Sequence, residues 1–94
     1  AFFAYLLDCV IKAGIAEGLD KDNAHLMAEQ TMLGTASLLM HENMNPAQLI
    51  KVVSSAKGTT SAGLEVLEGS AIDRILADTI RAAARRSKEL SKST

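Results

Sequence analysis

One stretch constrains the fold of this chain more than any other: "DKDNAHLMAEQTMLGTASLLMHENMNP", Asp20 to Pro46. Asp20 is placed to cap a helix by accepting from the free N–H groups of its first turn. Nothing breaks the helix before "NMNP", so a long element from about Lys21 to about Asn43 is predicted. Its apolar and small residues are not confined to one stripe. Ala24, Met27, Ala28, Thr31, Leu38 and Met40 share the circumference with Leu26, Leu33 and Leu39, and Gly34 to Ser37 form a small-residue segment. A helix that is apolar nearly all round has to be surrounded by packing partners. The rest of the chain must therefore supply those partners, or a second copy must.

The rest of the chain is short of material for this. There are 94 residues, 48% hydrophobic and 3% aromatic, so the core has to come from Leu, Ile, Val, Met and Ala. A chain of this length hides only about 60–65% of its unfolded surface. Residues 1–18 read as a first helix, with Phe2, Phe3, Tyr5, Leu6, Leu7, Val10, Ile11 and Ile15 spread over more than one face, and Gly18 as its stop. Pro46 opens a short third helix to about Val53. Thr60 is predicted to cap a fourth, ending near Gly69. Ser70 and Asp73 form an S-x-x-D capping pattern for a fifth, which runs to about Leu90 with Ile72, Ile75, Leu76, Ile80, Ala83 and Ala84 on its buried side. Arg74 and Asp78 are spaced to pair. The fold class is all-α with about five helices; so few helices from one chain can scarcely enclose two central rods, so two copies are expected to bury each other's long helices, with a monomeric bundle carrying some apolar surface as the alternative.

Several functions are disfavoured. A net charge of −1 is wrong for a domain that binds nucleic acid through bulk charge. No apolar run is long enough to span a bilayer, and "AFFAYLLDCVIK" lacks the basic leader of a signal peptide. Cys9, the single cysteine, reads as a buried reduced thiol in a cytoplasmic protein. His25 and His41 stand sixteen residues apart with no Cys, His or Asp at metal spacing, so no metal site is expected. Arg81, Arg85, Arg86 and Lys88 suit the C-terminal end of a helix dipole better than a phosphate site. The chain opens inside a helix with no initiator Met, as the C-terminal piece of a longer protein would.

The connector "SSAKGTT", Ser54 to Thr60, is the candidate site. Backbone N–H groups in the first turn of the following helix have no helical acceptors, so they can hold a small anion such as a carboxylate. Gly58 lets the backbone come close to a ligand, Thr59 and Thr60 offer hydroxyls, and Ser54, Ser55 and Lys57 add donors or charge. A plain capped turn between two helices fits the same residues equally well.

The run "NPAQLIKVVSSAKGTTSAGLEVLE" closely resembles the signature region of the pyrroline-5-carboxylate reductases. "AGIAEGLDKDNAHLMAEQTMLGTASLL" and "AARRSKEL" extend the resemblance over essentially the whole chain. It implies a C-terminal domain of the 6-phosphogluconate dehydrogenase C-terminal-like kind, about five helices forming an intertwined helical homodimer, with assembly into a higher oligomer left open. An N-terminal Rossmann domain outside this chain would bind NADPH or NADH, and this part alone would hold no cofactor and be inactive. The implied reaction reduces 1-pyrroline-5-carboxylate to L-proline in the cytoplasm. By position, Gly58, Thr59 and Thr60 would bind the substrate carboxylate, and Thr60 would also be a proton donor to the ring nitrogen. The Val53 carbonyl would face that nitrogen, Ser55 would lie toward the cofactor, and Gln30 and Thr31 would pack in the dimer. Ala56-Lys57 replaces the family's usual Pro-Gly, and Asn43 stands where several members are acidic. The competing reading is a non-catalytic helical dimerisation module, or a divergent paralogue with another imine or acid substrate.

Overall fold

The computed structural model describes residues 1–54 and 58–92. The helices are α1 (Phe2–Ala16), α2 (Lys21–His41), α3 (Pro46–Val53), α4 (Thr59–Glu68) and α5 (Ile72–Lys92), with no strand among the described residues. The expected all-α class and order of elements stand. The chain divides into two units, Ala1–Lys51 and Val52–Thr94.

In the first unit, local chemistry at the helix ends does much of the building. α1 ends in a Schellman motif: the Gly18 N–H donates to the Ile15 carbonyl at 3.0 Å and the Leu19 N–H to the Gly14 carbonyl at 3.1 Å. This requires a left-handed residue, and Gly18 supplies it at φ 109°. The Leu19 side chain then folds back, so that a Cβ on Gly14 would come within 3.3 Å of Leu19 Cδ1 and 3.8 Å of Ala24 Cβ. Asp20 caps α2 as expected, accepting from the Asn23 backbone N–H at 2.9 Å and from the Asn23 side-chain amide at 2.6 Å. α1 and α2 pack against each other, burying Ile11 and Ala24, and Leu49 of α3 is also buried.

α2 stops two residues before the expected Asn43, in a second Schellman turn. The Met44 N–H donates to the Leu39 carbonyl at 3.0 Å, and Asn43 takes the left-handed position at φ 50°. Asn is among the few residues with a side chain that tolerates this conformation. α3 then begins with a reciprocal capping box that the sequence reading did not pick out. The Gln48 N–H donates to Asn45 Oδ1 and the Asn45 N–H to Gln48 Oε1, both at 2.9 Å, with Pro46 as the first helical residue. Its signal, N-x-x-Q before an apolar run, is present in the sequence.

Three local expectations for the second unit need correction. The N-cap of α4 is Gly58 rather than Thr60; Thr59 and Thr60 are the first two helical residues. Ser70 does not form a capping box with Asp73. Its hydroxyl donates to the Leu67 carbonyl at 2.6 Å and accepts from the Ile72 N–H at 3.2 Å, bridging the end of α4 to the start of α5. Asp78 pairs with Arg81 at 3.0 Å instead of Arg74, a helical neighbour at i+3 rather than i−4. No residue of α4 or α5 is buried.

One further correction concerns Cys9, which is exposed rather than buried. The apolar run around it covers so much of α1 that a single partner helix can shield only part of it. Nearby on the same helix, Lys12 reaches Asp8 at 2.8 Å, and that hydrogen-bonded carboxylate raises the ammonium pKa above its ordinary value.

Candidate functional site

Of the proposed binding residues, Val53, Gly58, Thr59 and Thr60 stand at the two helix ends that flank the connector, in the second unit. Val53 is the last residue of α3, so its carbonyl belongs to the group that has no intrahelical donor. Ser54 follows, half-buried, with its Oγ secluded from solvent and no hydrogen-bond partner. Ser55, named as a binding residue, lies outside the described residues together with Ala56 and Lys57.

On the other side, Gly58 has extended backbone at φ −86°, ψ 169° and offers no side-chain cap. The first intrahelical bond of α4 runs from the Ala62 N–H to the Gly58 carbonyl at 3.3 Å. The Thr59 and Thr60 N–H groups precede it and have no intrahelical acceptor, and both residues are exposed. The backbone here does not require left-handed freedom, so the value of glycine at position 58 lies in the missing side chain rather than in an unusual φ. With Gly58 as the cap, both threonines sit inside the first turn, where the partial positive charge of the helix dipole is concentrated. A carboxylate at this end would meet main-chain donors and two hydroxyls.

Gln30 and Thr31 are on α2 in the first unit, and both are exposed. The Thr31 hydroxyl donates to the Met27 carbonyl at 2.6 Å. His25 sits 3.7 Å from Glu29, and among the described residues no three His, Cys, Asp or Glu side chains gather as metal ligands. Among the described residues no helix is long and apolar enough to cross a membrane.

The sequence reading did not anticipate an open apolar groove of about 390 Å³ in the first unit. It runs between Leu6, Leu7 and Val10 of α1 and Ala24, Met27 and Ala28 of α2. The many-sided apolar pattern of both helices was its signal. A single copy also leaves Phe3 76%, Leu33 68% and Met40 83% exposed. These features define a helical domain whose hydrophobic surfaces are uncovered in one copy.

Comparison with known proteins agrees with that description. The family model described as pyrroline-5-carboxylate reductase dimerisation matches residues 1–90. Pyrroline-5-carboxylate reductase 1 of Bacillus subtilis is 39% identical over 98% of the chain, a match that covers 31% of the relative. The pyrroline-5-carboxylate reductase of Synechocystis is 39% identical over 98% of the chain and 34% of its own length. That of Pisum sativum is 38% identical over 97% of the chain and 33% of its own. The chain thus spans about a third of the length of the curated relatives it matches. It belongs to the pyrroline-5-carboxylate reductase dimerisation family.

Proposed function

We propose that this chain is the dimerisation and substrate-binding part of a cytoplasmic pyrroline-5-carboxylate reductase. The observation that carries the reading is the family match over residues 1–90, which includes the connector and the start of α4. Reduction of 1-pyrroline-5-carboxylate adds a hydride from NADPH or NADH to the imine carbon and a proton to the ring nitrogen, giving L-proline. The nicotinamide is held by an N-terminal Rossmann domain outside this chain, and this part by itself does not catalyse. The N–H groups of Thr59 and Thr60 and their hydroxyls bind the substrate carboxylate, with Gly58 leaving room for it. Thr60 is the proton donor to the ring nitrogen, the Val53 carbonyl accepts from that nitrogen once protonated, and Ser55 lies on the cofactor side.

The working form is a homodimer. The dimerisation family model that matches residues 1–90 supports this, as do Phe3, Leu33 and Met40, large apolar side chains that stand exposed in one copy.

The deciding experiment assays the full-length protein with 1-pyrroline-5-carboxylate and each reduced nicotinamide in turn. Formation of L-proline with oxidation of either supports the reading. A correctly folded protein that turns over neither pair would instead favour a dimerisation module without catalysis.

A further inference from the structure

Two glycines in the first unit occupy helical positions, and only one has a reason inside the protomer. A Cβ on Gly14 would press on Leu19 and Ala24, so its absence serves the packing of α1 on α2. Gly34 lies in the interior of α2, where glycine is a poor helix former, and apart from its chain neighbours and the surrounding helix backbone no described atom lies within 4 Å of the Cβ it lacks. Nothing within the described structure rewards the missing side chain.

The face around Gly34 is built for contact. Helical spacing puts Met27, Thr31 and Leu38 on the same side as Gly34, at i−7, i−3 and i+4, and all are exposed in one copy. The polar atom among these side chains is already satisfied, because the Thr31 hydroxyl donates to the Met27 carbonyl at 2.6 Å. Beside it the Thr35 hydroxyl donates to the Thr31 carbonyl at 2.7 Å. Both threonines can therefore lose water at little cost and present their methyl groups. The result is an apolar face with large residues at either end and a notch at its middle.

We infer that α2 crosses the α2 of a second copy at Gly34, the notch of each helix receiving the backbone of the other. A two-fold axis brings a residue near its own copy, so one glycine provides clearance on both sides of the crossing. A second copy is the occupant because the family model that matches residues 1–90 is one of dimerisation, and Met27, Leu33, Leu38 and Met40 leave α2 apolar and exposed in one copy. The inference rests on the dimer reading above and adds the crossing point.

The test compares Gly34→Ala and Gly34→Leu with the unmodified intact protein by sedimentation over a dilution series, with circular dichroism to confirm helix content. At a solvent-facing position, Gly34→Ala improves the helix and leaves association unchanged or tighter. At a close crossing, both substitutions weaken it, with Gly34→Leu raising the dimer dissociation constant at least about tenfold. Unchanged or tighter association of Gly34→Ala overturns the crossing while leaving the dimer standing. An unmodified protein that is monomeric throughout the series overturns both. As a check independent of folding effects, Gly34→Cys in a Cys9→Ser background is expected to cross-link two copies on mild oxidation. A dimer that never forms this bond also overturns the crossing, since the two sulfurs need Cα atoms within about 7 Å.

Discussion

At the scale of single residues, Asn43 is the clearest case of a backbone demand choosing a side chain. It ends α2 at φ 50° and lets the Met44 N–H close onto Leu39. Its amide side chain therefore has a structural reason that does not involve substrate. Asn43→Gly is expected to keep stability within about 0.5 kcal/mol, whereas Asn43→Val should cost about 1–2 kcal/mol; urea unfolding measures both. Thr60 is the contrasting case, the exposed second residue of α4, to which the proposed function gives a substrate contact. On that reading Thr60→Ala in the full-length protein is predicted to raise KM for pyrroline-5-carboxylate and lower kcat. Losing one hydrogen bond to a charged group typically costs about 1.5–3 kcal/mol, roughly ten- to a hundredfold in kcat/KM. Unaltered kinetics would remove the start of α4 from the site.

At the scale of elements, α5 shows how a helix can be amphipathic without being buried. Ile72, Ile75, Leu76 and Ile80 mark one side at three-and-four spacing, while Arg81 with Asp78 and Arg86 with Glu89 pair on the surface. Yet Ile80 is 57% exposed in one copy. If a partner covers this stripe, a charge placed on it must be desolvated when the copies meet. Ile80→Asp is therefore expected to shift the protein toward monomer in light scattering, with helix content largely retained at high concentration. A stable dimer carrying that aspartate would show that α5 keeps its apolar side in water. Helix ends were the elements' most readable parts, since a cap depends on residues only a few positions apart. Where Gly58, Thr59 and Thr60 compete for one cap, propensity alone chose Thr60, although an extended Gly58 leaves both threonines inside the helix.

At the scale of the whole molecule, stability and association should be one quantity. Among the described residues Ile11, Ala24 and Leu49 are the buried hydrophobic ones, a small core for a copy on its own. The melting temperature is accordingly predicted to fall on dilution through the micromolar range, followed by circular dichroism. A concentration-independent transition would mean that one copy holds itself together.

The helices, their order and most of their stops follow from the sequence alone, because 3.6-residue periodicity, glycine at Gly18, proline at Pro46 and the Asp20 carboxylate act within a turn or two of chain. The resemblance carried by "SSAKGTT" and its neighbours is likewise a property of the string. Tertiary structure decided what depends on which surfaces meet: that Cys9 is exposed, that α1 and α2 leave a groove between them, that Gly14 serves the packing inside the protomer, and that Gly34 does not. A helix apolar on most sides announces that partners exist, but periodicity cannot say which side each one takes, since that is fixed by shape and clearance between segments far apart in the chain.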